Sequence, residues 1–200
     1  MKLILASQSP RRAQILRDNG FSPTVIPAHI IEIKSANETP SAYVLRLAHE
    51  KAHTVSTKIQ VDNMGSDDHE TVILAADTTV VLGENILEKP HDAAEALAML
   101  QSLSGTTHQV LTGYTLLFVN AEKEISEISE CVQTAVTFHK LTKKQIQDYV
   151  DSGDPFDKAG AYGIQSVRGS FVQSIDGSYW NVMGLPIEVI LDKLNTHPSK

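Results

Sequence analysis

Two hundred residues, 42% hydrophobic and only 20% charged, exclude a disordered chain and bound the protein to one domain or a two-lobed one. Seventeen basic against twenty-four acidic residues leave a formal charge of −7, which argues against a duplex nucleic-acid partner and confines any phosphate contact to a local patch. The longest strongly apolar stretch, Thr71 to Leu82, carries Asp77 and is too short to span a bilayer, no basic n-region leads into an apolar run, and Cys131 stands alone; a soluble cytoplasmic protein without a membrane partner is expected.

In chain order, Met1 to Ala6 (MKLILA) reads as a buried first strand. Ser9 takes an N-cap position with Pro10 behind it, predicting a helix from Arg11 to Asn19 closed by Gly20. A strand near Thr24 to Pro27 leads into a polar loop, and Thr39 with Pro40 opens a second helix running to about Thr57. Gln60 to Glu70 (QVDNMGSDDHE) reads as an acidic surface loop. Thr71 to Leu82 reads as a central strand ending in a turn at Gly83-Glu84-Asn85, and Asp92 caps a helix from Ala93 to Leu103. Two long β-patterned segments, Gln109 to Val119 and Glu124 to His139, meet at Asn120-Ala121. Thr142 caps a helix from Lys143 to Ser152 stopped by Gly153. Ser170 to Ile175, an Asp176-Gly177 turn and Ser178 to Met183 read as a hairpin, and Pro186 opens the last helix. Helices alternate with strands, and hairpins occur too, so the expected class is α/β with a mixed sheet and flanking helices.

Three features carry chemistry. The strand-to-helix junction Ser7-Gln8-Ser9-Pro10-Arg11-Arg12 offers a helix N-terminus, whose free N–H groups suit a phosphate. Arginines in a first turn oppose the helix dipole unless an anion or neighbouring carboxylates compensate them, and either reading is open. Asp77 lies inside an apolar strand, where a carboxylate loses hydration and must be paired, metal-bound or protonated. It reads as a general base, a metal ligand, or an aspartate at a strand's carboxyl end. Lys51 shares a helical face with Val44, Leu47, Ala48 and Val55, so it either snorkels outward or reaches inward to a phosphate.

Lys89 and Lys158 are loop cations of similar potential, and Ala159, Gly160, Ala161 and Gly163 are small enough to let backbone approach a ligand. His49-Glu50-Lys51-Ala52-His53 matches the H-E-x-x-H zinc pattern, with Glu70 as a conceivable third ligand. The other histidines, His108 among them, show no ligand spacing, and no P-loop, dinucleotide or hydrolase-elbow motif occurs.

Taken together, Leu3-Ile4-Leu5-Ala6-Ser7-Gln8-Ser9-Pro10-Arg11-Arg12, Glu50-Lys51-Ala52, Ala76-Asp77-Thr78, Glu88-Lys89-Pro90, the run from Asp157 to Gln165 (DKAGAYGIQ) and Val182-Met183-Gly184-Leu185-Pro186 are similar to the Maf family of nucleoside triphosphate pyrophosphatases, the septum-formation inhibitor proteins. The similarity runs nearly end to end. It implies a two-lobed Maf/ITPase-like fold around a central cleft, hydrolysis of a nucleoside triphosphate to the monophosphate and pyrophosphate, a divalent cation (Mg²⁺ or Mn²⁺), and a homodimer. By position, Asp77 matches the family's proton acceptor, while Arg11, Thr78 and Gln165 match selectivity positions. Ser7, Arg12, Glu32, Lys51, Lys89, Asp157 and Lys158 fall on cleft positions, with Glu32 the metal ligand. The run ending in Gln165 resembles the branch preferring dTTP and UTP. Ile31 stands where the family commonly has the first of an acidic pair, and Ala75 replaces a usual glycine. Three other readings stay open at this point: the family's 7-methyl-GTP branch, a non-catalytic nucleotide-sensing regulator of division, and a zinc hydrolase using His49 and His53.

Overall fold

A computed structural model describes residues 1–61, 70–120 and 122–197. The expected acidic loop from Gln60 to Glu70 falls almost wholly outside the described residues. Among those described are seven strands and seven α-helices, in the order β1 (Lys2–Leu5), α1 (Pro10–Asp18), β2 (Thr24–Val25), α2 (Pro40–Val61), β3 (Thr71–Leu82), β4 (Asn85–Leu87) and α3 (Ala93–Leu103). β5 (Thr107–Val119), β6 (Ile125–Phe138), α4 (Lys143–Asp151), α5 (Ile164–Val167), β7 (Val172–Asp176), α6 (Tyr179–Val182) and α7 (Ile187–Thr196) complete them. The strands form one sheet in the order β2-β1-β3-β5-β6-β7, with β4 on β3. β1 runs parallel to β2 and β3, whereas β3–β4 and β6–β7 are antiparallel, so the expected mixed α/β class is borne out.

The chain divides into two compact units. The first comprises Met1–Asp77, Thr112–Val132 and Gly184–Lys200. Its core gathers Ile4 and Ala6 after β1, Ile26, Ala52, Val55 and Ile59 of α2, Ile73 and Ala75 of β3, and Leu117 of β5. Burying each isoleucine, leucine or valine of this set stabilises the fold by roughly 1.5–3 kcal/mol, as an upper estimate, and each alanine by less. α2 is amphipathic as its spacing predicts, and it lies directly on β5. A Cβ at Gly113 would come 2.5 Å from the Val44 carbonyl carbon, so only glycine permits this approach. Thr39 caps α2 through Ala42 N–H at 3.2 Å, as expected. Ser9 does not cap α1 with its side chain; its own N–H instead donates to Ser7 Oγ at 3.1 Å.

The second unit comprises Thr78–Leu111 and Gln133–Met183. Asp92 caps α3, and Thr142 with Gln145 closes a reciprocal capping box on α4. The expected hairpin from Ser170 to Met183 is only half present. β7 pairs back onto β6, but Ser178 accepts from Asn181 N–H and starts the short helix α6. The reason is tertiary: Asn181 is fully buried and donates Nδ2 to Val110 O and Thr134 Oγ1, both at 3.0 Å. The small residues of the Ala159 to Gly163 segment also serve the packing of the chain. Gly160, at φ +67°, donates its N–H to Glu88 O at 3.1 Å, and a Cβ there would meet Val80 at 2.8 Å.

His108 is a core residue, as its lack of ligand spacing suggested. Its Nε2 lies 2.8 Å from Tyr162 Oη, its ring packs edge-on to Phe138, and burial lowers its pKa to about 4. The unfolded chain, with His near 6.5, takes up this proton first. Folding stability should therefore fall as pH drops from about 6.5 toward about 4, by on the order of 3 kcal/mol. Urea midpoints at pH 7, 5.5 and 4.5 should show this slope in the wild type and a distinctly flatter one in His108→Gln. Equal slopes would place the proton uptake elsewhere.

Candidate active site

Asp77 owes its position to a gap in strand pairing. β1 follows β3 from Lys2↔Thr71 to Leu5↔Leu74, and Ala6 N–H adds a last bond to Leu74 O at 2.8 Å. β4 takes up pairing only at Val80↔Leu87. Between Ala75 and Thr79, β1 has ended and β4 has not begun. Asp77 sits in this interval beyond the carboxyl end of a parallel strand, the place where α/β sheets commonly hold their ligands. The Ala76 carbonyl there is satisfied by Arg12, whose Nη1 donates to it at 2.8 Å.

Arg12 is buried and spends its fork on the chain. Nε donates to Gly184 O at 2.7 Å, and Nη1 also reaches Ser7 Oγ at 3.1 Å. Burial pulls the guanidinium pKa below its ordinary value, opposed by the nearby charge of Asp77. The first-turn arginine thus joins α1, β3 and the start of α7's segment within one unit. This resolves the dipole conflict at Arg12 through backbone carbonyls, a partner neither sequence reading named. Arg11, one residue earlier, is half-buried in the same turn.

Lys51 neither snorkels nor lies free. Its residue is 7% exposed, and Nζ sits 2.7 Å from Asp77 Oδ1 and 2.7 Å from Glu32 Oε1. The inner face of α2 brings it there, because Leu47, Ala48, Ala52 and Val55 around it are all buried. Asp77 is 9% exposed, so its charge needs such a partner. Glu32 lies at the solvent side of the bridge, its side chain 47% exposed. Two carboxylates and two cations therefore meet in one unit with formally cancelling charge.

The loop bearing Glu32 is held by α2 as well. Tyr43 Oη donates to Glu32 O at 3.3 Å, and Arg46 Nη2 donates to Ile33 O at 2.9 Å. Arg46 Nε also binds Glu38 at 2.7 Å, and this hydrogen bond holds the Glu38 carboxyl at about 2. The sequence assigned no role to Tyr43, Arg46 or Glu38, although Tyr43 to Ala48 (YVLRLA) is among the stretches similar to the Maf family. A further local signal was the Arg46–Glu50 spacing of four, which does form an ion pair at 3.0 Å.

The remaining expected site residues lie in the second unit. Thr78 is half-buried on β3, whereas Lys89 and Gln165 are exposed, Gln165 at the start of α5. Lys158 binds Asp157 Oδ1 at 2.6 Å and Asp154 Oδ1 at 2.9 Å, and its stem packs so closely that a Cβ at Gly163 would come 2.6 Å from it. The H-E-x-x-H residues do not form the hydrolytic set of the zinc alternative. Glu50 is engaged by Arg46, and the carboxylate beside the histidines is Glu127 of β6 rather than Glu70.

The fold and this carboxylate–lysine–carboxylate centre define an α/β protein with a buried, charge-compensated site at the ends of parallel strands. The chain belongs to the Maf-like protein family, which it matches over residues 2–197. It is 44% identical over 187 residues to the dTTP/UTP pyrophosphatase of Koribacter versatilis (strain Ellin345), covering 94% of this chain and 90% of that one. The dTTP/UTP pyrophosphatase of Anaeromyxobacter dehalogenans (strain 2CP-C) is 46% identical, with 93% and 89% covered. That of Bacillus pumilus (strain SAFR-032) is 43% identical, with 98% and 96% covered. The family expected from the sequence is borne out. Among the described residues no helix is long and apolar enough to cross a membrane.

Proposed function

We propose that the protein is a hydrolase that converts dTTP and UTP to the monophosphate and pyrophosphate. The observation that carries this reading is the buried Asp77 carboxylate anchored on Lys51 Nζ at 2.7 Å. Relatives that are dTTP/UTP pyrophosphatases and share more than two fifths of their residues with this chain support it. Lys51 holds Oδ1, so Oδ2 is the atom that accepts a proton from the attacking water. Glu32 is a hard oxygen donor and would hold a divalent cation, Mg²⁺ or Mn²⁺, with its exposure leaving room for retained waters. When bound, such an ion supplies positive charge against the non-bridging phosphate oxygens.

Lys51 is then positioned to pass from its carboxylates to phosphate oxygen, since its ammonium donors can rotate among acceptors. Ser7 and Arg12 fix the floor of the site at Ala76 O, and Arg12 adds a charge there that burial strengthens. Lys89, Lys158 and Arg11 supply further cations for the leaving pyrophosphate, with Asp157 holding Lys158. Gln165 reads the pyrimidine edge, its amide offering both a donor and an acceptor to O4 and N3–H of uracil or thymine, while Thr78 and Arg11 fix the rest of the nucleotide.

Asp77→Asn should fold and lose at least about 10²-fold in turnover, the scale of a lost general base. Pyrophosphate release from dTTP measures it, and near-normal turnover in a folded variant would reject the assignment. Gln165→Ala should lower kcat/KM for dTTP and UTP by roughly 5- to 150-fold and narrow their lead over GTP and ATP, because a site built to hydrogen-bond its substrate loses about 1–3 kcal/mol per pair removed. Comparison of the five common triphosphates on both proteins checks this. A variant keeping the full pyrimidine preference would show that another residue reads the base.

A further inference from the structure

The H-E-x-x-H stretch of α2 is left unused by the reading above, and the fold gives it a partner seventy-four residues away. His49 and His53 lie one turn apart, their ring centroids 4.2 Å from each other. Both turn Nε2 toward the same oxygen of Glu127 on β6: Oε2 is 2.9 Å from His53 and 3.6 Å from His49. One ligand atom from each of the three residues falls within 4.8 Å of the other two. Nitrogen and oxygen donors bound tetrahedrally at about 2.0–2.1 Å lie about 3.3 Å apart, and the two histidine-to-Glu127 distances, 2.9 and 3.6 Å, bracket that value. Ser129 Oγ donates to the other oxygen, Oε1, at 2.7 Å, which aims Oε2 at the histidines.

We propose that His49, His53 and Glu127 form a second metal site, separate from Asp77 and Glu32, that takes Zn²⁺ or a similar borderline transition ion. Two imidazoles and one carboxylate favour such ions over Mg²⁺, which prefers oxygen and water. A surface hydrogen bond to Glu127 would need only one histidine, whereas here a second imidazole stands beside it, so three donor atoms lie within 4.8 Å of one another. The site is not hydrolytic. Glu50, the carboxylate that would act as base in this motif, is paired with Arg46 at 3.0 Å. Lys51, between the two histidines in sequence, leaves the opposite side of α2 to reach Asp77. The ion therefore clips the outer face of α2 to β6 while the inner face serves the carboxylates.

The test uses the full chain, stripped with chelator and titrated with ZnCl₂ alone, with bound metal counted after dialysis. One equivalent should bind with micromolar or tighter affinity and raise Tm by at least about 3 °C at saturating zinc. His49→Ala, His53→Ala and Glu127→Gln should each weaken it at least about tenfold, while Asp77→Asn keeps it. Mg²⁺-supported pyrophosphate release by the two histidine variants should stay within about twofold of wild type, so zinc counting and turnover report on separate sites. Absence of binding at 100 µM-scale zinc (about 10⁻⁴ M), equal binding by the histidine variants, or loss of the equivalent in Asp77→Asn would each overturn the proposal.

Discussion

The site depends on one ammonium group. Asp77 on a buried strand and Lys51 on the buried face of α2 each lose much of their hydration, so each requires a polar partner. Each meets the other's need at 2.7 Å, and Glu32 completes the cation's shell from the solvent side. A buried pair of this kind is a poor source of net stability, but removing one partner costs roughly 3–5 kcal/mol because the other is stranded. The arrangement is therefore rigid in composition while remaining exchangeable in contact. A phosphate oxygen or a divalent cation arriving at the site finds charges that are already paid for by each other and can be re-paired.

Much else in the first unit serves to hold that bridge in place. Gly113 lets α2 lie against β5 at Val44, which sets the depth of the whole helix and hence of Lys51. Tyr43 and Arg46, from the same helix, fasten the loop that presents Glu32. Arg12 fills the interval where β3 has left β1 and not yet met β4, so the Ala76 carbonyl beside Asp77 is not left bare. One helix thus supplies the cation, positions a carboxylate and, on its other side, pairs His53 with Glu127.

Local patterning made a good part of this legible. The largely apolar run around Asp77 marked both the central strand and an anomalous charge, and the apolar stripe on α2 placed Lys51 on that face while leaving open whether it snorkelled outward or reached inward. Caps at Thr39, Asp92 and Thr142 were readable because capping is a local hydrogen bond between near neighbours. What failed was non-local. Ser178 to Met183 carries strand-like residues, yet the buried amide of Asn181 draws acceptors from β5 and β6 and the segment turns helical. That Gly160 and Gly163 also make room for Val80 and the stem of Lys158 was not visible in the sequence, because both contacts depend on the fold. Glu127 could not be matched to His53 from spacing at all, since only the sheet brings β6 beside α2.

The central claim is that Lys51 and Asp77 act as one unit in catalysis. Turnover of dTTP should be measured, at saturating divalent cation, for Lys51→Met, Asp77→Asn and the double variant, each checked for native circular dichroism. The account predicts that each single variant loses at least about 10²-fold and that the double variant is little worse than either, as groups acting together behave. Losses that multiply in the double variant, or a Lys51→Met protein that turns over like wild type, would contradict it.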